Sequence, residues 1–370
     1  MIELIESHVV YENPKPKVRS RHGYFPGVVQ LPSGELLALF VMGEAFESAD
    51  QSTYVSRSGD LGKTWRLQGP LYNKCLDPLP TSDYFKPQVL KDGSLIALGY
   101  RFHRHDPEQP IAIEETDGAL PGDDVVSFSD DGGRTWNAPR VIERSIPELL
   151  EIASRCLQLS SGDIVATAGL FRLPDGSNPS GQFGVFLRSQ DGGKTWNDRV
   201  RFYEAPSKTV AAYESHVCEM QPGRLVAICW ALDMATGQHL PNQVTVSHDY
   251  GYHWSTPINT GHTGQSSNLL YLGGDRLLSI HCHRGHDVGM YVRQIDFSGD
   301  RWRPVEESNI WGTSIGQQTR DGQKFHEFAS SIRFGQASLL RLSNADILAT
   351  HWCVLDGQGK IVTHRLRVTG

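Results

Sequence analysis

The chain has 370 residues, 39% of them hydrophobic and 21% charged, with a net charge of −7. This composition excludes a disordered or collagen-like chain, and the acidic balance leaves no basic field for nucleic acid or an anionic membrane. The six cysteines are scattered with no CxxC spacing, which argues against a disulfide framework and a thiolate metal site.

The first residues, MIELIESHVVYENPKPK, lack the basic stretch and apolar core of a secretory signal. No apolar run approaches the roughly 20 residues that span a bilayer. A soluble, cytoplasmic protein is therefore expected. Length alone suggests two domains, but closed all-β folds often run long as one unit, so residues 1–370 are expected to form a single domain.

In chain order, an extended segment at residues 2–10 comes first. Residues 26–40, PGVVQLPSGELLALF, then read as two apolar strands around a Gly-containing turn. Ser58-Gly-Asp60-Leu-Gly62-Lys-Thr64-Trp65 follows. The same pair of features recurs with hairpin 87–100 and Ser129 to Trp136, hairpin 156–169 and Ser189 to Trp196, and hairpin 217–230 and Ser247 to Trp254. Hairpin 269–281 precedes a worn copy running from Asp296 to Trp302, and residues 338–352 form a sixth hairpin. The motif aspartates lie 71, 60, 58 and 47 residues apart, room for four short strands and their loops. Repetition at this period means a repeat architecture.

The motif has a local physical reason. An Asp carboxylate accepts backbone N–H groups across a tight turn, and Gly supplies a positive φ. The Trp covers the hairpin and packs between neighbouring sheets. The sequence thus predicts an all-β, six-bladed β-propeller with Asp-box turns between the outer strands. Residues 2–10 are expected to pair near 361–368, closing the last blade and hiding both edges.

This combination of Asp boxes and hairpins resembles the sialidase (neuraminidase) superfamily over nearly the whole chain. Tyr24-Phe-Pro26-Gly through Pro32-Ser-Gly34 is similar to the family's opening segment, and Glu214-Ser-His216 through Gly223-Arg-Leu to its fourth-blade segment. Gly264-Gln265 through Arg276-Leu-Leu to His283-Arg284 resembles the fifth blade of bacterial sialidase-like proteins. The resemblance implies three arginines for the substrate carboxylate, a Tyr nucleophile polarised by a Glu, and an Asp acid/base. It places Glu214 at the polarising glutamate, Arg284 at a substrate arginine and Asp50 at the acid/base, with Glu44 and Glu47 as rivals. The chain departs from the pattern elsewhere. Tyr24 stands at the first arginine position, and Arg333-Phe334-Gly-Gln336-Ala-Ser338 has no hydroxyl where the Tyr is expected.

In a propeller the inner-strand starts and the loops between second and third strands converge on one face of the axial channel, the default site. Catalytic candidates read there are Glu214, Asp50, Glu47 and His283. Substrate-binding candidates are Arg284, Arg101, Arg155, Arg333, His216, Tyr24 and Gln265. Such groups suit an anionic or polyhydroxylated ligand, because guanidinium forks bind carboxylates bidentately. The Asp-box aspartates are turn staples on the opposite face. The spacings His103-x-His105 and His281-x-His283 lack a carboxylate partner, so no metal site and no cofactor is expected.

Three functions fit. The first is a sialidase-like glycoside hydrolase acting on a sugar, anionic or atypical, with Glu214 as base or nucleophile and Asp50 or Glu47 as acid. The second is a polysaccharide lyase in which His283, His216 or Tyr213 takes the C5 proton of a uronic acid. The third is a non-catalytic glycan-binding propeller. The expected partner is a carbohydrate, with neither nucleic acid nor membrane.

Overall fold

The computed structural model describes residues 1–369. Six antiparallel sheets, each built on four successive strands, follow one another around a ring. Blade one contains His22–Gln30, Leu36–Gly43, Ser52–Ser58 and Arg66–Pro70, in that order from axis to rim. The next four blades repeat the order, and blade six is completed from the other end of the chain. Its strands Phe334–Arg341, Ile347–Leu355 and Gln358–Val368 are joined by Ile2–Tyr11. The register starts at Ile2 opposite Val368, which is the closure read from the sequence.

All six expected hairpins form the inner two strands of their blades. The second strand explains why their sequences are continuously apolar. Each is flanked by two strands and covered on both faces by neighbouring blades, so Leu36–Gly43 and Ile164–Leu170 are buried at every position.

The Asp boxes sit at the turn between third and fourth strands. In blade two, Asp131 Oδ1 accepts the N–H groups of Arg134 and Thr135, each at 2.9 Å, and Asp131 Oδ2 accepts the Thr135 hydroxyl at 2.6 Å. The Thr135 hydroxyl and backbone bonds, strongest among several, hold its carboxyl far below the usual range. Gly133 has φ 76°, and a β-carbon there would overlap Leu37 of blade one. The glycine therefore serves both the turn and the seam between blades. Trp254 packs edge-on against Phe186 of blade three at 5.1 Å, closing the seam between blades three and four as its motif implies. Among the described residues, no helix is long and apolar enough to cross a membrane.

Candidate active site at the propeller axis

The inner strands do not run smoothly past the axis. Those of blades one, four and six are bulged between Tyr24 and Gly27, Tyr213 and His216, and Gly335 and Ser338. Each bulge holds a non-glycine residue at positive φ: Phe25 at 51°, Glu214 at 43° and Gln336 at 43°. Such a backbone costs on the order of 1–3 kcal/mol per residue and persists where surrounding structure enforces it. The three bulges re-aim their side chains, and all three line one axial cavity of about 150 Å³.

Aromatic rings make a large part of its wall. Tyr84 stacks on Tyr100 at 5.0 Å, Phe102 meets Phe171 at 5.3 Å and Phe25 meets Phe46 at 5.4 Å. A short helix, Phe325–Ser331, lies over the opening and adds Phe325 and Phe328. It is tied down from blade two: Asp117, in the loop between Ala112–Ile113 and Gly118–Ala119, accepts the Phe325 N–H at 2.7 Å. Asp117 is itself fixed by Arg172 at 2.7 Å.

The polar groups converge between these rings. The Glu214 N–H donates to Glu151 Oε2 at 2.9 Å. Lys86 Nζ donates to Gln336 Oε1 at 2.8 Å and to the Phe25 carbonyl, tying two of the bulges together. Burial pushes Glu151 well above the carboxylate range, and the neighbouring Glu214 adds to this. Burial also raises Glu214, with Arg284 acting against it. The same burial pulls Lys86 down to about 7 despite Glu214 and Glu151. On the blade-one side Glu47 rises to about 7 through burial, although Ala112 N–H donates to it at 3.2 Å. Glu214 Oε2 is shielded from solvent and accepts no hydrogen bond within the protein.

A family model of the BNR repeat-like domain matches residues 6–257. The chain belongs to this family. A protein of unknown function from Dyadobacter fermentans superimposes with a TM-score of 0.77 at 20% identity, covering 100% of this chain and 99% of that one. A Hadza microbial sialidase gives 0.66 at 18% identity, over 97% of this chain and 68% of that one. Penicillium chrysogenum α-L-arabinanase, complexed with arabinobiose, gives 0.64 at 16% identity, over 99% and 98%. No curated protein matches the sequence. At these identities the solved structures share the fold.

In this BNR-repeat propeller, Glu214 and Glu47 line the axial cavity. Arg284 lies just behind it, 1% exposed, with its Nε donating to the Phe334 carbonyl at 2.7 Å. Gly335 leaves the space: a β-carbon there would overlap the Arg284 guanidinium. Gln265 supports Arg284 by accepting its N–H at 2.9 Å. Arg155 lines a narrow channel beneath Glu214 and Gln336. His216, buried nearby, is driven down to about 3 by burial and by Arg155.

Other candidates lie away from the cavity. Asp50 is exposed and pairs with Arg21 at 2.8 Å. Arg101 is held by Asp77 at 2.9 Å and Asp123 at 3.0 Å. Arg333 is exposed and donates to the carbonyls of Ser330 and Ile332. Tyr24 packs in the core between Phe46 and Trp352, while its neighbour Phe25 faces the cavity. His283 lies in a separate groove beside Arg293. Sequence reasoning missed Glu151 and the aromatic wall. Its available signal for Glu151 was the buried-strand pattern of Leu149-Leu150-Glu151-Ile152, a lone carboxylate in an apolar run. Among the described residues, no group of three or more His, Cys, Asp or Glu is placed to hold a metal ion.

Proposed function

We propose that this BNR-repeat propeller is a glycoside hydrolase acting on a neutral, polyhydroxylated sugar bound in the axial cavity. The observation that carries this reading is three carboxyl groups of raised proton affinity, Glu47, Glu151 and Glu214, facing one aromatic-walled cavity. Aromatic faces suit the C–H faces of a sugar ring, and carboxyls tuned towards neutrality suit proton transfer at a glycosidic oxygen. Among the fold neighbours, one is named a sialidase and another an arabinanase.

Glu47, near 7, is the general acid: it donates its proton to the leaving oxygen as the glycosidic bond breaks. Glu214 is the opposing carboxylate. Its carboxylate either takes the proton of an attacking water or adds to the anomeric carbon, and Arg284 favours its ionised form. Glu151, its proton affinity raised by burial, holds the Glu214 backbone in its bulge. A neutral sugar is favoured over an anionic one because the cavity lining among the described residues contains one cation, Lys324, and no arginine to pair with a carboxylate.

The test is a panel of aryl glycosides and uronate polymers with purified protein. Hydrolysis of a neutral aryl glycoside, reduced roughly 10²–10⁴-fold in Glu214→Gln and in Glu47→Gln, supports the reading. Turnover or sugar binding indifferent to both substitutions defeats it. An ultraviolet-absorbing unsaturated product would mark a lyase instead.

A further inference from the structure

A second concavity, a groove of about 600 Å³, runs along blade five beside the axial cavity. The two share His239, whose ring stacks on Trp230 and whose N–H donates to Asp321 at 3.0 Å. Segment 317–325 contributes to both linings. Thr319 and Arg320 face the groove, and Phe325 faces the cavity.

The groove holds polar groups that the protein itself leaves unsatisfied. Thr319 is 2% exposed and its hydroxyl has no partner. His262 Nε2 is likewise buried without one. Arg293 is 2% exposed; its Nε donates to Glu307 at 2.7 Å, but its terminal nitrogens find only His283 Nε2, at 3.4 and 3.5 Å. Leaving such groups buried and unpaired costs about 1–3 kcal/mol each, so they mark a place where a ligand completes the bonding.

The chemistry of that ligand follows from the mixture. Arg293, Thr319 and Gln265 can donate, while Glu307, Asp321 and an uncharged imidazole can accept. Burial and Arg293 keep His283 uncharged, near 3. Two arginines, Arg293 and Arg320, face three carboxylates, Asp287, Glu307 and Asp321, so the groove does not select an anion. Alternating donors and acceptors beside the Tyr291 ring match vicinal hydroxyls, each of which both donates and accepts.

We propose that this groove is a second sugar subsite, so that the substrate is a neutral glycan chain with one unit in the aromatic cavity and further units along Tyr291, Arg293 and Thr319. This rests on the hydrolase reading of the axial cavity and extends it from a sugar to a chain.

The experiment measures binding of neutral oligosaccharides of one to six units on a printed array, with calorimetric titration of those retained. Wild type is compared with Tyr291→Ala and Arg320→Ala. Arg320 is exposed and has no ion-pair partner among the described residues, so its replacement should leave the fold intact, and thermal melting controls both variants. The expected result is affinity rising about tenfold or more from one unit to three, with that gain lost in both variants. Affinity independent of length, a gain that survives both substitutions, or preference for uronate or sulfated chains would overturn the proposal. Failure of the hydrolase reading looks different: the length-dependent gain remains while Glu214→Gln changes no turnover. Absence of any glycan binding overturns both.

Discussion

Glu151 of blade three reaches across the seam to blade four and accepts the backbone N–H of Glu214 at 2.9 Å. One carboxyl group thereby holds another in a strained backbone at the axis. Burial raises the proton affinity of Glu151, so its part in this contact is expected to be that of an acceptor rather than of a charge. Glu151→Gln should keep unfolding free energy within about 1 kcal/mol of wild type, whereas Glu151→Ala, which orphans the N–H and leaves a void, should lose about 2–4 kcal/mol. Urea denaturation distinguishes the two. Equal losses would mean that the charge, not the acceptor, matters.

The two glycines of the blade-two Asp box should respond differently. Gly132 at φ 71° has open space around its missing β-carbon, while at Gly133 that carbon would overlap Leu37. Gly132→Ala should cost about 1 kcal/mol from backbone strain alone, and Gly133→Ala about 1–3 kcal/mol more from overpacking. Thermal melting of the pair tests this, and neither change should alter the axial site.

Blade six contains a pH-sensitive pair. His351 and His364 stack at 5.1 Å with their Nε2 atoms 3.0 Å apart, and His364 Nδ1 meets Ser7 of the closing strand at 2.7 Å. Burial lowers His364 from 6.5 to about 4. The unfolded chain therefore binds a proton at this site before the folded one does. Its contribution to stability is complete above pH 6.5, declines as pH falls to about 4, and levels off below. The loss is on the order of 3 kcal/mol for this group. Melting temperature against pH should flatten over that window in His364→Gln; an unchanged slope would refute the assignment.

Asp117→Ala should release the helix Phe325–Ser331 from blade two, since both the Phe325 N–H and Arg172 lose their acceptor. A hydrogen bond to a charged group contributes about 1.5–3 kcal/mol, so amide exchange in residues 325–331 should accelerate roughly 10- to 100-fold while the blades keep their protection. Unchanged exchange would show that the phenylalanines alone hold the helix.

The architecture was legible because it is written locally and repeatedly. Each Asp box is a four-residue hydrogen-bonding device, and each hairpin is an apolar run interrupted by its own turn residue. The axial site was legible only in part. Glu214 and Glu47 stand at positions that propeller geometry aims inward. Asp50 and Arg101 occupy comparable loops, but Arg21, Asp77 and Asp123 turn them elsewhere. Such pairings depend on residues up to about thirty positions away and leave no periodic trace. The cavity wall is less visible still. Phe25, Phe171 and Phe325 come together only because the ring closes, and the bulge that turns Phe25 inward and Tyr24 into the core is a backbone property that the side-chain pattern does not record.

Ile2 sits opposite Val368, so strands far apart in the sequence share one sheet. Without the strands Phe334–Arg341, Ile347–Leu355 and Gln358–Val368, five blades would form an open arc with an uncovered sheet face at each end, and Ile2–Tyr11 would have no partner. Ring closure therefore joins strands very distant in the sequence, a costly loop to close, and the axial site is complete only with the ring. A nascent chain interrupted within blade six is not a smaller version of this protein; it is a sticky intermediate waiting for its other end.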